Sequence, residues 1–190
     1  MPGAQAINSD RDAGDLFRLT AALTAEAETA GLVDRIITSA RDLGRAESGC
    51  CFVLDKAKRT LLAQSHAGPQ GNTGSDVLPG DVALFAAGGR NSRNLVAHAA
   101  FSGQIVCVTD PYRYTGFDFA DLYDRDRRTG RRTYSIMAAP MRNHEGLTIG
   151  VLYLANRLDA TGHRVEAFSE ADTRLINDFA RQAAVQLNNL

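Results

Sequence analysis

At 190 residues, 44% of them hydrophobic, the chain is the size of one domain with a real core and is too apolar for general disorder. Its 21 Lys and Arg stand against 22 Asp and Glu, a formal net charge of −1, so no overall field draws it to nucleic acid or an anionic membrane. It has no apolar run of about eighteen residues and its opening, MPGAQAINSDRD, has no signal-peptide pattern, so the expectation is a cytoplasmic protein without membrane insertion.

Residues 1–13 are small and polar and read as a flexible tail, leaving 14–190 as a single domain. From Asp15 to Leu43 the positions Leu16, Leu19, Leu23, Leu32, Ile36 and Leu43 recur at mostly helical spacing. Gly31 predicts a break, giving two helices or one that bends there. SGCCFVLD (Ser48–Asp55), the turn DKAKR and TLLAQSH (Thr60–His66) predict a strand, a tight turn and a second strand. A loop rich in Gly, Pro, Ser and Asn follows from Gly68 to Gly80, then a short apolar piece, DVALFAAGG.

NSRNLVAHAAFSG predicts a short helix with Ser92 as N-cap and Gly103 just past its end. QIVCVTD is a strand, and Pro111 to Arg132 reads as irregular and heavily charged. TYSIMAAPM, the turn RNHEG and LTIGVLYLAN form a hairpin with Gly146 at its turn. RLDATGHRVEA is a loop, and FSEADTRLINDFARQAAVQLNNL is the closing helix. Ser169 and Asp172 have capping-box spacing, and the helix carries a stripe of Leu175, Ile176, Phe179, Ala180, Ala183 and Leu187. Hairpins with terminal helices imply an α+β fold, an antiparallel sheet with helices to one side.

Chemistry-bearing residues are sparse. Cys50 and Cys51 fall on opposite faces of one strand and Cys107 on another, which is neither a disulfide framework nor a metal-ligand spacing. His66, His98, His144 and His163 share no ligand spacing and are expected at the surface or in turns. No catalytic residue, metal or cofactor is therefore assigned. DRRTGRRTYSIM packs Arg127, Arg128, Arg131 and Arg132 together, yet from Asp110 to Tyr134 six arginines meet five aspartates. That near-balance supplies no net basic groove for nucleic acid. The arginines are expected to pair with nearby aspartates or to face water.

Four passages together resemble the GAF domains, sensory modules of signalling proteins. They are SGCCFVLD, RNLVAHAAFSGQIVCVTDPY, DRRTGRRTYSIMAAPMRNHEGLTIGVLYLAN and FSEADTRLINDFARQAAVQL, in that order. The resemblance is greatest to the modules of bacterial cyclases, phosphodiesterases and sensor kinases, some of which bind cyclic nucleotides. It implies about six antiparallel strands, with the terminal helices on one face and residues 110–133 as a lid over a pocket on the other. It also implies a small-molecule ligand, with cAMP or cGMP leading, and a signal passed through the terminal helices to an output domain or partner signalling protein. A homodimer through those helices goes with it, and a ligand-free module kept for dimerisation is the alternative.

In the resembling nucleotide binders an Asp, a Thr three residues on and a second Thr four further touch the ligand; these fall on Asp126, Thr129 and Thr133. Asp110, Tyr112, Phe117, Tyr123 and Ser135 complete the expected pocket as acceptors, aromatic faces and a hydroxyl. Pro111 departs from the pattern, since the phosphate there is held by backbone N–H groups at that place and proline has none. Asn156, Arg157, Phe168 and Asp172 match a supporting signature of the subgroup, with Arg for Lys, in which Arg157 would pair with Asp172 without touching ligand. Some stand-alone relatives reduce free methionine sulfoxide with loop cysteines. Residues 66–80 and 110–133 contain no cysteine, so an enzyme is not expected.

Overall fold

Three strands carry the alternation that organises the molecule in this computed structural model, which describes residues 26–68, 79–86 and 88–189. They are β1 (Ala46–Asp55), β7 (Ser135–Arg142) and β8 (Thr148–Leu158). Successive side chains on a strand point to opposite faces. Cys51, Met137, Ala139, Leu152 and Leu154 therefore join one core cluster, while Cys50, Phe52, Ile136, Ala138, Val151 and Tyr153 join another. Both faces are covered, which is why these strands read as apolar runs.

The strand order is β3-β2-β1-β8-β7-β6, with every neighbouring pair antiparallel. Here β2 is Thr60–Ala67, β3 is Val82–Ala83 and β6 is Val106–Thr109. A short β4–β5 hairpin (Phe85–Ala86, Gly89–Arg90) stands apart, and β9 (Val165–Glu166) pairs with the end of β8. The expected hairpin is present, with Gly146 at φ +78 in its turn. Its second strand runs through Arg157 and Leu158, two residues into the expected loop.

On the first face lie α1, residues 26–43, and α4 (Glu170–Asn188). Val33, Ile36, Ile37 and Ala40 of α1 pack with Ile176, Ala180, Ala183 and Ala184 of α4. The helix does not break at Gly31, because the apolar side chains just beyond it are held against the sheet and outweigh the roughly 1 kcal/mol helix penalty of a glycine. The predicted tail 1–13 and the region before residue 26 lie outside the described residues, as does most of the loop between Gly68 and Gly80.

On the opposite face are α2 (Leu95–Ser102) and α3 (Ala120–Thr129). The N-cap of α2 is Asn94, not Ser92: the Asn94 side-chain oxygen accepts from the amides of Val96 (3.0 Å) and Ala97 (3.1 Å), and Ser92 is two residues too early to do so. α3 corrects the expectation of a wholly irregular segment. Its buried residues are Leu122 and Asp126, so its inward stripe is half carboxylate and gives no apolar period. Gly130, at φ +66, ends it.

β1 and β8 approach closely at Gly150. A β-carbon there would overlap the Phe52 carbonyl oxygen and the Met141 methyl. Gly150→Ala is expected to cost about 1–3 kcal/mol, read as a lower urea midpoint; an unchanged midpoint would show that the strands can part there at no cost.

Candidate functional site

The site is built around the end of β8. Asn156 has φ +60 and is buried, and its amide bonds in three directions. Its oxygen accepts from the Tyr134 amide at 2.7 Å and the Ser135 amide at 3.5 Å. Its nitrogen donates to the Arg132 carbonyl (3.0 Å) and to Glu47 Oε2 (2.7 Å). One side chain thus fixes the entry to β7 against the start of β1.

Arg157 comes next. Its amide donates to Ser135 Oγ at 3.1 Å, its Nε donates to Asp172 Oδ2 at 3.1 Å, and its Nη1 pairs with Glu166. Asp172 also accepts from the Ser169 amide (2.8 Å) and hydroxyl (2.7 Å), closing the capping box of α4. Burial opposes ionisation of Asp172, but the Ser169 donors and the Arg157 guanidinium outweigh it and hold the carboxyl below its usual range. Phe168, partly buried, packs against the α1–α4 core.

Asp126 is the corresponding tie on α3. Its carboxylate accepts from the Thr133 amide (2.6 Å), the Thr133 hydroxyl (3.0 Å) and the Tyr112 hydroxyl (3.0 Å). The Tyr123 hydroxyl donates to the Pro111 carbonyl at 2.9 Å, and its ring lies 4.5 Å from that of Tyr112. Phe117 stacks on Tyr114 at 5.6 Å. Asp110, at φ +52, donates its amide to the Tyr134 carbonyl (2.7 Å), and its carboxylate lies 3.6 Å from Arg132. One Asp110 oxygen is buried without a hydrogen bond.

Between α3 and the β1–β8 end of the sheet lies a cavity of about 40 Å³, room for about three waters. Of the ligand-binding residues expected from sequence, Asp126, Thr129 and Thr133 line it, and so does Asn156, expected only to support the pocket. Asp110, Tyr112, Phe117, Tyr123 and Ser135 do not; the aromatic residues hold α3 and its lead-in, and Ser135 serves the Arg157 backbone. The Thr129 hydroxyl donates to the Arg125 carbonyl (2.9 Å).

Glu47, His66, Arg125, Arg131 and Tyr153 line the cavity without having been expected there. Strand alternation carried the signal for Tyr153, which shares a face with Val151 and Ala155, but Arg125 could be placed only once α3 was known to be helical. His66 is half-buried in the cavity wall rather than at the surface. Burial, reinforced by Arg125, Arg131 and Arg41, holds its imidazole below the usual pKa. Burial pushes the Tyr153 phenol up, with Arg125 pulling it back in part.

The family model for the GAF domain matches residues 28–187. The chain belongs to the GAF domain family. GAF domains are regulatory, ligand-binding modules of signalling proteins, linked to output domains. A relative is the dual 3',5'-cyclic-AMP and -GMP phosphodiesterase 11 of Drosophila melanogaster, 24% identical over 181 residues. That match covers 92% of this chain and 12% of the relative, so the chain spans a small part of that protein. The GAF domain region of a Geobacter sulfurreducens PCA protein shares the fold, with a TM-score of 0.64, 14% identity, and coverage of 88% of this chain and 98% of that one. So does the type II free methionine-R-sulfoxide reductase of Thermoplasma acidophilum, with a TM-score of 0.56, 15% identity, and coverage of 85% and 96%. Among the described residues no helix is long and apolar enough to cross a membrane.

The depressed Asp172 carboxyl stabilises the fold above the ordinary carboxylate pKa, and that contribution is lost as pH falls through the lower folded value. Asp172→Asn is expected to cost about 1–2 kcal/mol at neutral pH. In chemical denaturation at a series of pH values, its deficit against wild type should shrink below about pH 4; a deficit independent of pH would mean that the charge contributes nothing.

Proposed function

We propose that this GAF domain is a sensor whose small ligand occupies the space between α3 and the sheet, with a cyclic nucleotide the first ligand to test. The observation that carries the reading is the cavity itself, closed by a helix whose inward carboxylate, Asp126, is tied to Thr133 and Tyr112. At about 40 Å³ it is far below the roughly 300–1,000 Å³ of pockets that enclose whole ligands, so a nucleotide enters only as α3 moves outward.

The route outward is short. Thr133 in the cavity wall precedes Tyr134 and Ser135, whose amides are held by Asn156; the next residue, Arg157, grips Asp172 on α4. A shift of α3 is thereby felt at the first turn of α4, which passes it to an output domain or partner. Leu175 and Val185 are exposed on α4 and suit pairing with a second copy.

A regulatory rather than catalytic role is supported by the thiols. No cysteine lines the cavity among the described residues. Burial pushes the Cys51 thiol up to about 12 and the Cys50 thiol higher still, so neither supplies a thiolate.

Thermal melts with cAMP and cGMP at millimolar concentration test the ligand. Saturation at about 100 times Kd contributes about 2.7 kcal/mol, a rise on the order of 5–10 °C for a chain of this size. No rise with either nucleotide would overturn the nucleotide reading.

A further inference from the structure

The charges around the cavity are unevenly matched. Among the described residues its lining holds three arginines, Arg125, Arg131 and Arg132, against two carboxylates, Glu47 and Asp126. Four of these five are engaged. Arg131 lies 3.6 Å from Glu47, and Arg132 lies 3.6 Å from Asp110 with its guanidinium over the rings of Tyr112 and Tyr134. Asp126 is taken up by Thr133 and Tyr112.

Arg125 is the exception. Among the described residues it forms no ion pair, and it shares the cavity wall with the buried Tyr153, whose phenol it influences. A half-buried guanidinium has lost part of its hydration, and a neutral phenol restores little of it. The counter-charge that the described residues do not supply is the kind that a planar fork of donors binds best, a carboxylate or phosphate.

We propose that the cavity receives the anionic group of the ligand, a phosphate or a carboxylate, on Arg125, and that His66 takes up a proton as the anion enters. The proposal rests on the sensing reading only in making this cavity the ligand site. The space matches one such group, since room for about three waters accommodates a phosphate or carboxylate but nothing larger.

His66 is surrounded by charge. Arg41 reaches it from α1, Arg125 and Asp126 from α3, Arg131 and Arg132 from the segment before β7. Glu47 and Cys50 lie on β1, Cys50 directly across the ladder, and Tyr153 lies on β8. Asp34 is bonded to Ser65 on the other face of β2, and Asp81 is bonded to the Ala63 amide. The acids of the cavity wall being engaged, the arginines dominate and the empty site keeps His66 neutral at pH 7. A bound anion favours the imidazolium. Affinity is then highest at low pH and weakens as pH rises between the free and bound His66 values, by up to tenfold per unit.

NMR titration of the His66 imidazole in the full chain tests this, with inorganic phosphate, acetate, cAMP and adenosine as separate probes and chloride at equal ionic strength as control. Phosphate or acetate should raise the His66 midpoint by about half a unit or more, which is a linkage of about threefold or better. The anion that does so identifies the group. cAMP should raise it and adenosine should not. Arg125→Gln should abolish the response, Arg125→Lys should keep part of it, and Arg127→Gln, on the same helix but outside the cavity lining, should leave it. Should Arg125→Gln fail to fold, wild type and Arg125→Lys decide.

A midpoint unmoved by all of phosphate, acetate and cAMP, or moved as far in Arg125→Gln as in wild type, overturns the proposal. If cAMP stabilises the fold while His66 stays unmoved, the anion site is lost and the nucleotide reading stands. If phosphate or acetate moves His66 while cAMP does nothing, the nucleotide reading is lost and the anion site stands.

Discussion

Asn156 holds together the end of the molecule where the site lies. A buried amide with two donors and two acceptor lone pairs must find partners, and here they come from two stretches of chain besides its own. The entry to β7, the start of β1 and the end of β8 meet on it. Its left-handed backbone turns the strand so that Arg157 leaves toward α4. Asparagine suits the place because it tolerates that conformation and bonds at both ends of its side chain. An aspartate would lose the two donors, and a glycine would lose all of the bonds.

The same end of the sheet explains why a run of arginines does not become a nucleic-acid surface. Apart from Arg125, each guanidinium there that lines the cavity has a local use. Arg132 is stacked between two tyrosines beside Asp110, and Arg131 closes on Glu47, itself a partner of Asn156. Arg127 pairs with Asp124 on its own helix. Phosphate-backbone binding needs several uncompensated cations along one groove. Most of these cations are spent on holding α3 and the β7 entry in place.

How much of this was legible beforehand follows from where periodicity exists. β1, β7 and β8 bury both faces, so their apolar runs stood out, and the Ser169–Asp172 spacing marked the start of α4 directly. The family resemblance, carried by four passages, agrees with the fold found. α3 was not legible, because a helix that buries one leucine and one aspartate has no apolar period to detect. With α3 hidden, the aromatic residues of its lead-in read as ligand-facing surfaces rather than as the packing that secures it, and Arg125 had no face to be assigned to. Asp126, Thr129 and Thr133, which line the cavity, were singled out through the resemblance, since their spacing survives whether the segment is helical or not. Arg157 and Asp172 were found for a similar reason: a strand end and a helix start are both strong local signals, and opposite charges at such a junction meet.

The cavity and α4 are coupled by a chain of contacts with little slack. From Thr133 to Ser135 is two peptide units, from Ser135 to Arg157 one hydrogen bond, and from Arg157 to Asp172 one ion pair. Both carboxylates of this path are multiply bonded, Asp126 to Tyr112 and Thr133 and Asp172 to Ser169 and Arg157, so neither moves without breaking several bonds together. Bonds that must break together make a two-state element rather than a soft one. α3 is the part suited to switch, since apart from Asp126 its only buried residue is Leu122, whereas α4 buries Ile176, Ala180, Ala183 and Ala184. On the proposed sensing reading, occupancy of the cavity is registered by the weakly anchored helix and transmitted by the strongly anchored one, which keeps its fold while its first turn is pulled.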